Sequence, residues 1–309
     1  MNAFDSVLLI AFGGPEKSED VRPFLRNVAE GRPIPPERVE EVARHYEAIG
    51  GRSPLGELTR RQAAGLREAL ARDGVARAVY VGMRNWHPFL HETLAEMSER
   101  GHRRALGVIL SSFQTEASWE RYVGDVAAAR GRVGAGAPEV AYAPAWADHP
   151  LFIEAMVDRA TTALAEVPAR RRGAAQLVFT AHSVPVAMAD GSPYSAQLQS
   201  AAGRIAGRLG HPRWSVAYQS RSGSPREPWL EPDIGDLLRA LARDGVRDVV
   251  VAPIGFVCDH VEVLYDLDVE ARRLAEGLGL GFYRAPAAND HPRFIEMLAD
   301  LVKGSGFDF

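Results

Sequence analysis

The sequence predicts an α/β protein made of two similar doubly wound domains, each a parallel sheet flanked by helices. Three observations carry this reading. Short apolar or β-branched runs alternate with stretches of helical periodicity along the chain. Several of those runs end in glycine, proline and polar clusters, where open α/β sheets place ligands. The segment 143–158, APAWADHPLFIEAMVD, returns at 285–300 as APAANDHPRFIEMLAD, with ten of sixteen positions identical at an offset of 142. Chance alone gives about one match, so the repeat marks two copies of one architecture. The expected division is 1–166 for the first domain, 176–309 for the second, and the basic run 167–175 (VPARRRGAA) as linker.

In the first domain, Ser6 to Phe12 is a continuous apolar strand that stops at Gly13-Gly14-Pro15. The glycine spacing fits neither a dinucleotide nor a Walker loop, so a tight turn is the better reading. Breakers from Glu30 to Pro36 precede a helix from Glu37 to Ala48. The loop Ile49 to Leu55 then offers Arg52 and Ser53 between glycines and a proline, and a helix follows from Thr59 to Leu70. Strands at Ala78–Met83 and Ala105–Leu110 flank a helix from His91 to Arg100, and Glu139–Ala143 is a further strand. Asp148 is placed to cap the next helix, with Pro150 in its first turn. The second domain repeats the alternation, with strands at Gln176–Thr180, Trp214–Tyr218, Val246–Ile254 and Gly281–Ala285.

Composition narrows the function classes. With 309 residues the chain can bury two cores, and a formal net charge of −4 gives no reason to expect nucleic acid. No apolar run approaches the roughly 20 residues of a membrane helix, and the N-terminus lacks a basic leader, so a soluble, cytoplasmic protein is expected. Cys258 is the single cysteine, which excludes an internal disulfide and an all-cysteine iron–sulfur cluster within the chain.

The chemistry concentrates after the run Asp248 to Ile254. Gly255 breaks that strand, and Leu264, Leu267, Ala271 and Leu274 then recur as an apolar helix face. Glu262, Asp266 and Glu270 fall four residues apart on another face, an acidic ladder of roughly 12 Å. Such a ladder is also what a solvated helix face looks like. Its position at a strand end, with His260 in the same turn, favours a ligand cleft. His182 leaves the end of the first strand of the same domain, so it and Glu262 can face one another. An imidazole and a carboxylate together accept protons or hold a divalent metal, and two ligands with open positions suit a metal in transit. Arg32, Arg52, Arg84, Arg221 and Arg226 lie in loops where they can meet carboxylates. Phe12, Phe113, Trp119, Tyr122 and Trp229 can grip something flat, although packing or a solvated surface explains any one of these residues as well.

Taken together these stretches resemble the ferrochelatases: IAFGGP, HYEAIGGRSPL, VYVGMRNWHPF, FTAHSVP with GSPY, YQSRSG with PWLEPDI, and PIGFVCDHVEVLYDLD. The resemblance covers essentially the whole chain. It implies two Rossmann-like domains of the chelatase fold and insertion of ferrous iron, as a substrate, into a porphyrin. It implies that His182 and Glu262 bind metal and handle protons, with Asp266 and Glu270 as relay, and that Ser53 and Tyr122 contact the porphyrin. Phe12, Arg32, Arg52 and Trp229 complete the expected porphyrin-binding set. The chain looks like the short bacterial type, some members of which use coproporphyrin III and make coproheme. Protoporphyrin IX is the alternative substrate, and a non-catalytic tetrapyrrole carrier the alternative class. No permanent cofactor and no iron–sulfur cluster are expected; heme-pathway enzymes are possible partners. Two departures stand out: Phe12 replaces a tyrosine of some relatives, which removes a phenol ligand there, and Ala29-Glu30 replace arginines.

Overall fold

The computed structural model describes residues 4–31, 34–75, 77–223 and 226–305. In chain order the first elements are β1 (Ser6–Ala11), α1 (Val21–Ala29), α2 (Pro36–Ala48), α3 (Leu55–Arg72), β2 (Ala78–Met83), α4 (Leu90–Glu99) and β3 (Arg104–Ile109). A π-helical turn at Glu116–Glu120 leads into α5 (Arg121–Val133), followed by β4 (Glu139–Tyr142), α6 (Pro150–Glu166) and α7 (Ala169–Arg172). Then come β5 (Gln176–His182), α8 (Val186–Asp190), α9 (Tyr194–Leu209), β6 (Trp214–Gln219), α10 (Ile234–Arg243) and β7 (Asp248–Ala252). The chain closes with α11 (Val261–Leu264), a second π-helical turn at Asp266–Ala271, α12 (Arg272–Gly277), β8 (Gly281–Arg284) and α13 (Pro292–Gly304).

Two four-stranded sheets result, in the orders β2-β1-β3-β4 and β6-β5-β7-β8, and every pairing in them is parallel. The central strands explain the continuous apolar runs. Val7, Leu8, Leu9 and Ile10 of β1 are fully buried, as are Leu177, Val178 and Phe179 of β5, because helices cover both faces of a parallel sheet. Burial of each such side chain contributes about 1.5–3 kcal/mol. In each sheet the order reverses beside the first strand, so the crevice at the carboxyl ends lies between β1 and β3 or between β5 and β7.

The chain divides into one compact unit of Met1–Ser111, Glu116–Ala145 and Asn289–Phe309, and another of Ser112–Thr115 and Trp146–Ala288. This differs from the expected division at 166 and 176. The helix after the last strand of each sheet leaves that sheet's unit: α6 packs on α9, β7 and β8, whereas α13 packs on α3. In the first unit, Gln62 donates to the Asn289 carbonyl at 2.7 Å and Lys303 pairs with Asp73 at 2.6 Å. The run expected as a linker is structured too. It forms α7, where Arg171 pairs with the buried Asp248 at 3.0 Å and Arg172 donates to the Leu164 and Ala165 carbonyls at the end of α6. Hydrophobic periodicity shows that a helix has a buried face but not which sheet it covers.

The repeated signature serves one purpose in both copies. His149 and His291 cap α6 and α13, each accepting from the backbone N–H two residues on, with Pro150 and Pro292 at the helix start. The cap is therefore His149 rather than Asp148, which instead accepts from Ser200 and Arg204. Among the described residues no helix is long and apolar enough to cross a membrane.

Candidate active site

In the second unit, β5 and β7 deliver their carboxyl ends close together. The Gly255 amide donates to the Thr180 carbonyl at 3.0 Å, and a Cβ on Gly255 would stand 2.5 Å from the Ala181 Cα, so only glycine fits. His182 is the last residue of β5, and its backbone carbonyl accepts from the Tyr194 hydroxyl at 2.7 Å. Burial pushes the Tyr194 phenol up, and neighbouring Tyr218 and the Glu262 charge add to it, so this hydroxyl stays a neutral donor. Beyond β7, His260 takes the cap position of α11 and Glu262 follows in its first turn.

His182 and Glu262 meet as expected. The imidazole Nε2 lies 3.6 Å from Glu262 Oε1, with both side chains about one-third exposed. On its other side His182 Nδ1 contacts the Ser183 carbonyl. A carbonyl only accepts, so Nδ1 carries the hydrogen and the Nε2 lone pair faces the carboxylate. Two lone-pair-bearing atoms 3.6 Å apart are too far for a hydrogen bond. A divalent ion about 2.1 Å from each fits between them, as does a proton in transit. His260 Nε2 lies 3.6 Å from Glu262 Oε2. Each carboxylate oxygen thus faces an imidazole, but the two rings address different oxygens. Among the described residues, no three His, Cys, Asp or Glu side chains converge to hold a metal ion.

The acidic ladder does not lie on one continuous α-helix. The four residues of α11 give way to the π turn, in which the Glu270 amide reaches back to the Tyr265 carbonyl, and α12 follows. Inserting that wider turn keeps Leu267 and Ala271 buried while Glu262, Asp266 and Glu270 pass from partly buried to exposed. Gln219, the last residue of β6, and Ser220 just after it brace the start of this path. The Gln219 amide donates to the Glu262 backbone carbonyl, and Ser220, at φ 61°, donates to the Asp266 carboxylate. On the far side Arg284 bridges Asp259 at 2.9 Å and Asp268 at 2.7 Å. Trp229 belongs to this unit as well; it is 9% exposed, pairs through its backbone with Pro185 and lies under the Arg221 guanidinium.

The remaining described residues of the predicted porphyrin-binding set belong to the first unit. Phe12, just past β1, packs edge-on to Phe24 at 6.3 Å, and Phe24 in turn contacts Tyr46 and Trp86. Ser53 is buried; its backbone amide donates to the Pro15 carbonyl and its hydroxyl accepts from the Leu55 amide. Arg52 is exposed beside it. Tyr122 is buried in α5 beneath the Arg84 guanidinium, 4.3 Å from the ring centroid, and Arg84 pairs with Asp125. Arg32 lies outside the described residues.

Residues 5–305 match the family model described as ferrochelatase. The chain belongs to the ferrochelatase family. The coproporphyrin III ferrochelatase of Mycolicibacterium smegmatis is 44% identical over 303 residues, covering 97% of this chain and 89% of the relative. That of Nocardia farcinica is 46% identical over 309 residues, covering 97% and 88%. Among solved structures, SirB from Bacillus subtilis with Fe3+ aligns with a TM-score of 0.61 at 11% identity over 98% of both chains, which speaks for the fold alone.

For this ferrochelatase, sequence reasoning finds both halves of the His182–Glu262 pair and the acids behind it. It places His260 in the turn without giving it a partner, although its spacing two residues before Glu262 at a helix start signals shared geometry. It passes over Tyr194, Gln219, Ser220 and Arg284, whose partners are 12 to 46 residues away in sequence. Only the GSPY and YQSRSG stretches pointed towards the first three.

Proposed function

We propose that this ferrochelatase inserts ferrous iron into coproporphyrin III to give Fe-coproporphyrin III in heme biosynthesis. The observation that carries the chemistry is the His182 Nε2 to Glu262 Oε1 separation of 3.6 Å, an open pair in which one member accepts protons and the other binds a cation. The choice of porphyrin rests on the relatives, which are named for coproporphyrin III at 44–46% identity over nearly the whole chain.

Metallation exchanges two pyrrole N–H protons for one dication, so the site must remove protons while admitting metal. His182 is oriented for the first task, because its hydrogen is committed to the Ser183 carbonyl and its Nε2 lone pair is available. Glu262 coordinates the incoming iron and passes protons on, and Asp266 and Glu270 carry them towards solvent along the graded exposure of the π turn. Phe12, Arg32, Arg52, Ser53, Tyr122 and Trp229 are proposed to hold the macrocycle and its propionates, with Phe12 offering no axial ligand. Iron enters as substrate, the reaction is proposed to be cytoplasmic, and heme-pathway enzymes are the proposed partners.

The test is anaerobic spectrophotometric metallation with coproporphyrin III or protoporphyrin IX. The expected result is preference for coproporphyrin III in the parent and loss of turnover in His182→Ala and Glu262→Ala. Turnover of protoporphyrin alone would overturn the substrate, and binding of both without turnover would replace the enzyme by a carrier.

A further inference from the structure

The segment from Asp259 to Glu270 carries five acidic side chains in twelve residues, and the structure divides them into two sets. Asp259 and Asp268 turn to one guanidinium. Arg284, the last residue of β8, donates from Nη1 to Asp259 Oδ1 at 2.9 Å and from Nε to Asp268 Oδ1 at 2.7 Å. The same Asp259 oxygen accepts from the Ala287 amide at 3.2 Å, and Arg272 stands 3.7 Å from Asp268. Arg284 and Asp259 are 12% and 14% exposed, so the pair is screened little by solvent. Burial alone would weaken the guanidinium's hold on its proton; the two carboxylates more than offset this and keep it charged. Glu262, by contrast, faces imidazoles.

The two acids that Arg284 grips bracket the reactive stretch. Asp259 immediately precedes His260, and Asp268 sits within the π turn two residues after Asp266. A guanidinium at the end of an edge strand that is paired along its whole length with β7 is a fixed anchor, and its planar fork sets two directions at once. We propose that Arg284 is a positioning residue for iron insertion: by clamping Asp259 and Asp268 it fixes the His260–Glu262 turn and the π turn, and so sets where Glu262 presents its oxygens to His182. This rests on the iron-insertion reading for its catalytic consequence, whereas the clamp itself is testable without turnover.

The experiment compares the parent with Arg284→Ala, Arg284→Lys and Arg171→Ala, the last removing the partner of Asp248, another buried acid of the same unit, at the opposite end of β7. Amide hydrogen exchange is followed across 259–271, and kcat and KM are measured for iron and porphyrin. Arg284→Ala is expected to lower kcat roughly 10–100-fold, the usual range for losing a group that orients a ligand. Porphyrin KM should change less than about twofold, because the positioned groups act on metal and protons, not on the macrocycle's grip. Exchange should speed up across 259–271. Lysine, with one charge but no fork, should recover part of kcat, and Arg171→Ala should leave both kcat and the 259–271 exchange as in the parent. Unchanged exchange in Arg284→Ala, or an equal fall of kcat in Arg171→Ala, would overturn the proposal. A parent that turns over neither porphyrin would remove the catalytic reading, and the exchange result would still decide whether the clamp orders this segment.

Discussion

The two units run their first strands into loops of matching outline and different chemistry. β1 continues through Ala11-Phe12-Gly13-Gly14-Pro15, and β5 through Ala181-His182-Ser183-Val184-Pro185. Where one unit has Phe12 packed edge-on to Phe24, the other has an imidazole facing a carboxylate. After the neighbouring strand, β3 leads to Ser111-Ser112-Phe113 and β7 to His260 and Glu262. Each unit even has a π turn in a corresponding place, but only the second lines its turn with a ladder of acids beside a histidine pair. A duplicated fold therefore supplies two equivalent crevices, and a handful of strand-end residues sets one of them apart with the imidazole–carboxylate pair proposed to handle protons and metal.

The largest effect should come from exchanging that asymmetry. His182→Ala is expected to lower kcat by about 10²–10⁴, the range for losing a general base, whereas Phe12→Ala should cost less than about tenfold. Equal losses in anaerobic metallation assays would mean that both crevices share the chemistry. Next in size is close packing. Gly255→Ala forces a Cβ into Ala181 and should cost about 1–3 kcal/mol in urea unfolding. At Gly14 a new Cβ meets the Ser53 Cβ at 2.9 Å, an atom that moves only with a buried backbone tied to the Pro15 carbonyl, so Gly14→Ala should cost about 1–2 kcal/mol. A larger loss at Gly14 would show that the first unit's crevice is the tighter one. The smallest effect tests sameness: His149→Ala and His291→Ala each remove a helix cap and should each cost about 0.5–1 kcal/mol by the same measurement. Unequal losses would break the equivalence of the repeated signature.

Much of this was legible in the sequence, and for identifiable reasons. Central strands of a parallel sheet are buried on both faces, so Val7–Ile10 and Val249–Ala252 read as unbroken apolar runs. His182 and Glu262 are legible because one ends such a run and the other opens the helix that follows one, where side chains turn from the core to the crevice. The π turn was not legible: Leu267 and Ala271 stay buried at spacings that also suit an α-helix, and the wider hydrogen bond from Glu270 to Tyr265 leaves no compositional trace. Nor was the choice of His149 over Asp148 as cap, which depends on Asp148 being drawn to Ser200 and Arg204 on another helix. The Arg284 clamp joins residues 16 and 25 positions apart, beyond the reach of local pattern. The compact units divide the chain elsewhere than at 166 and 176 for a related reason, since an amphipathic helix does not encode its partner.

The exchange of α6 and α13 between the units has a consequence for how the molecule is made. A ribosome releases β1 to β4 early, but the helix that covers α3 is synthesised only after the entire second unit. During that interval Gln62 lacks the carbonyl it serves and Asp73 lacks its lysine. The second unit meets no such delay, because its early helix α6 is already waiting when β7 and β8 emerge. The part of the chain carrying His182 and Glu262 is thus assembled from nearly contiguous polypeptide, and the first unit, begun earlier, is completed last.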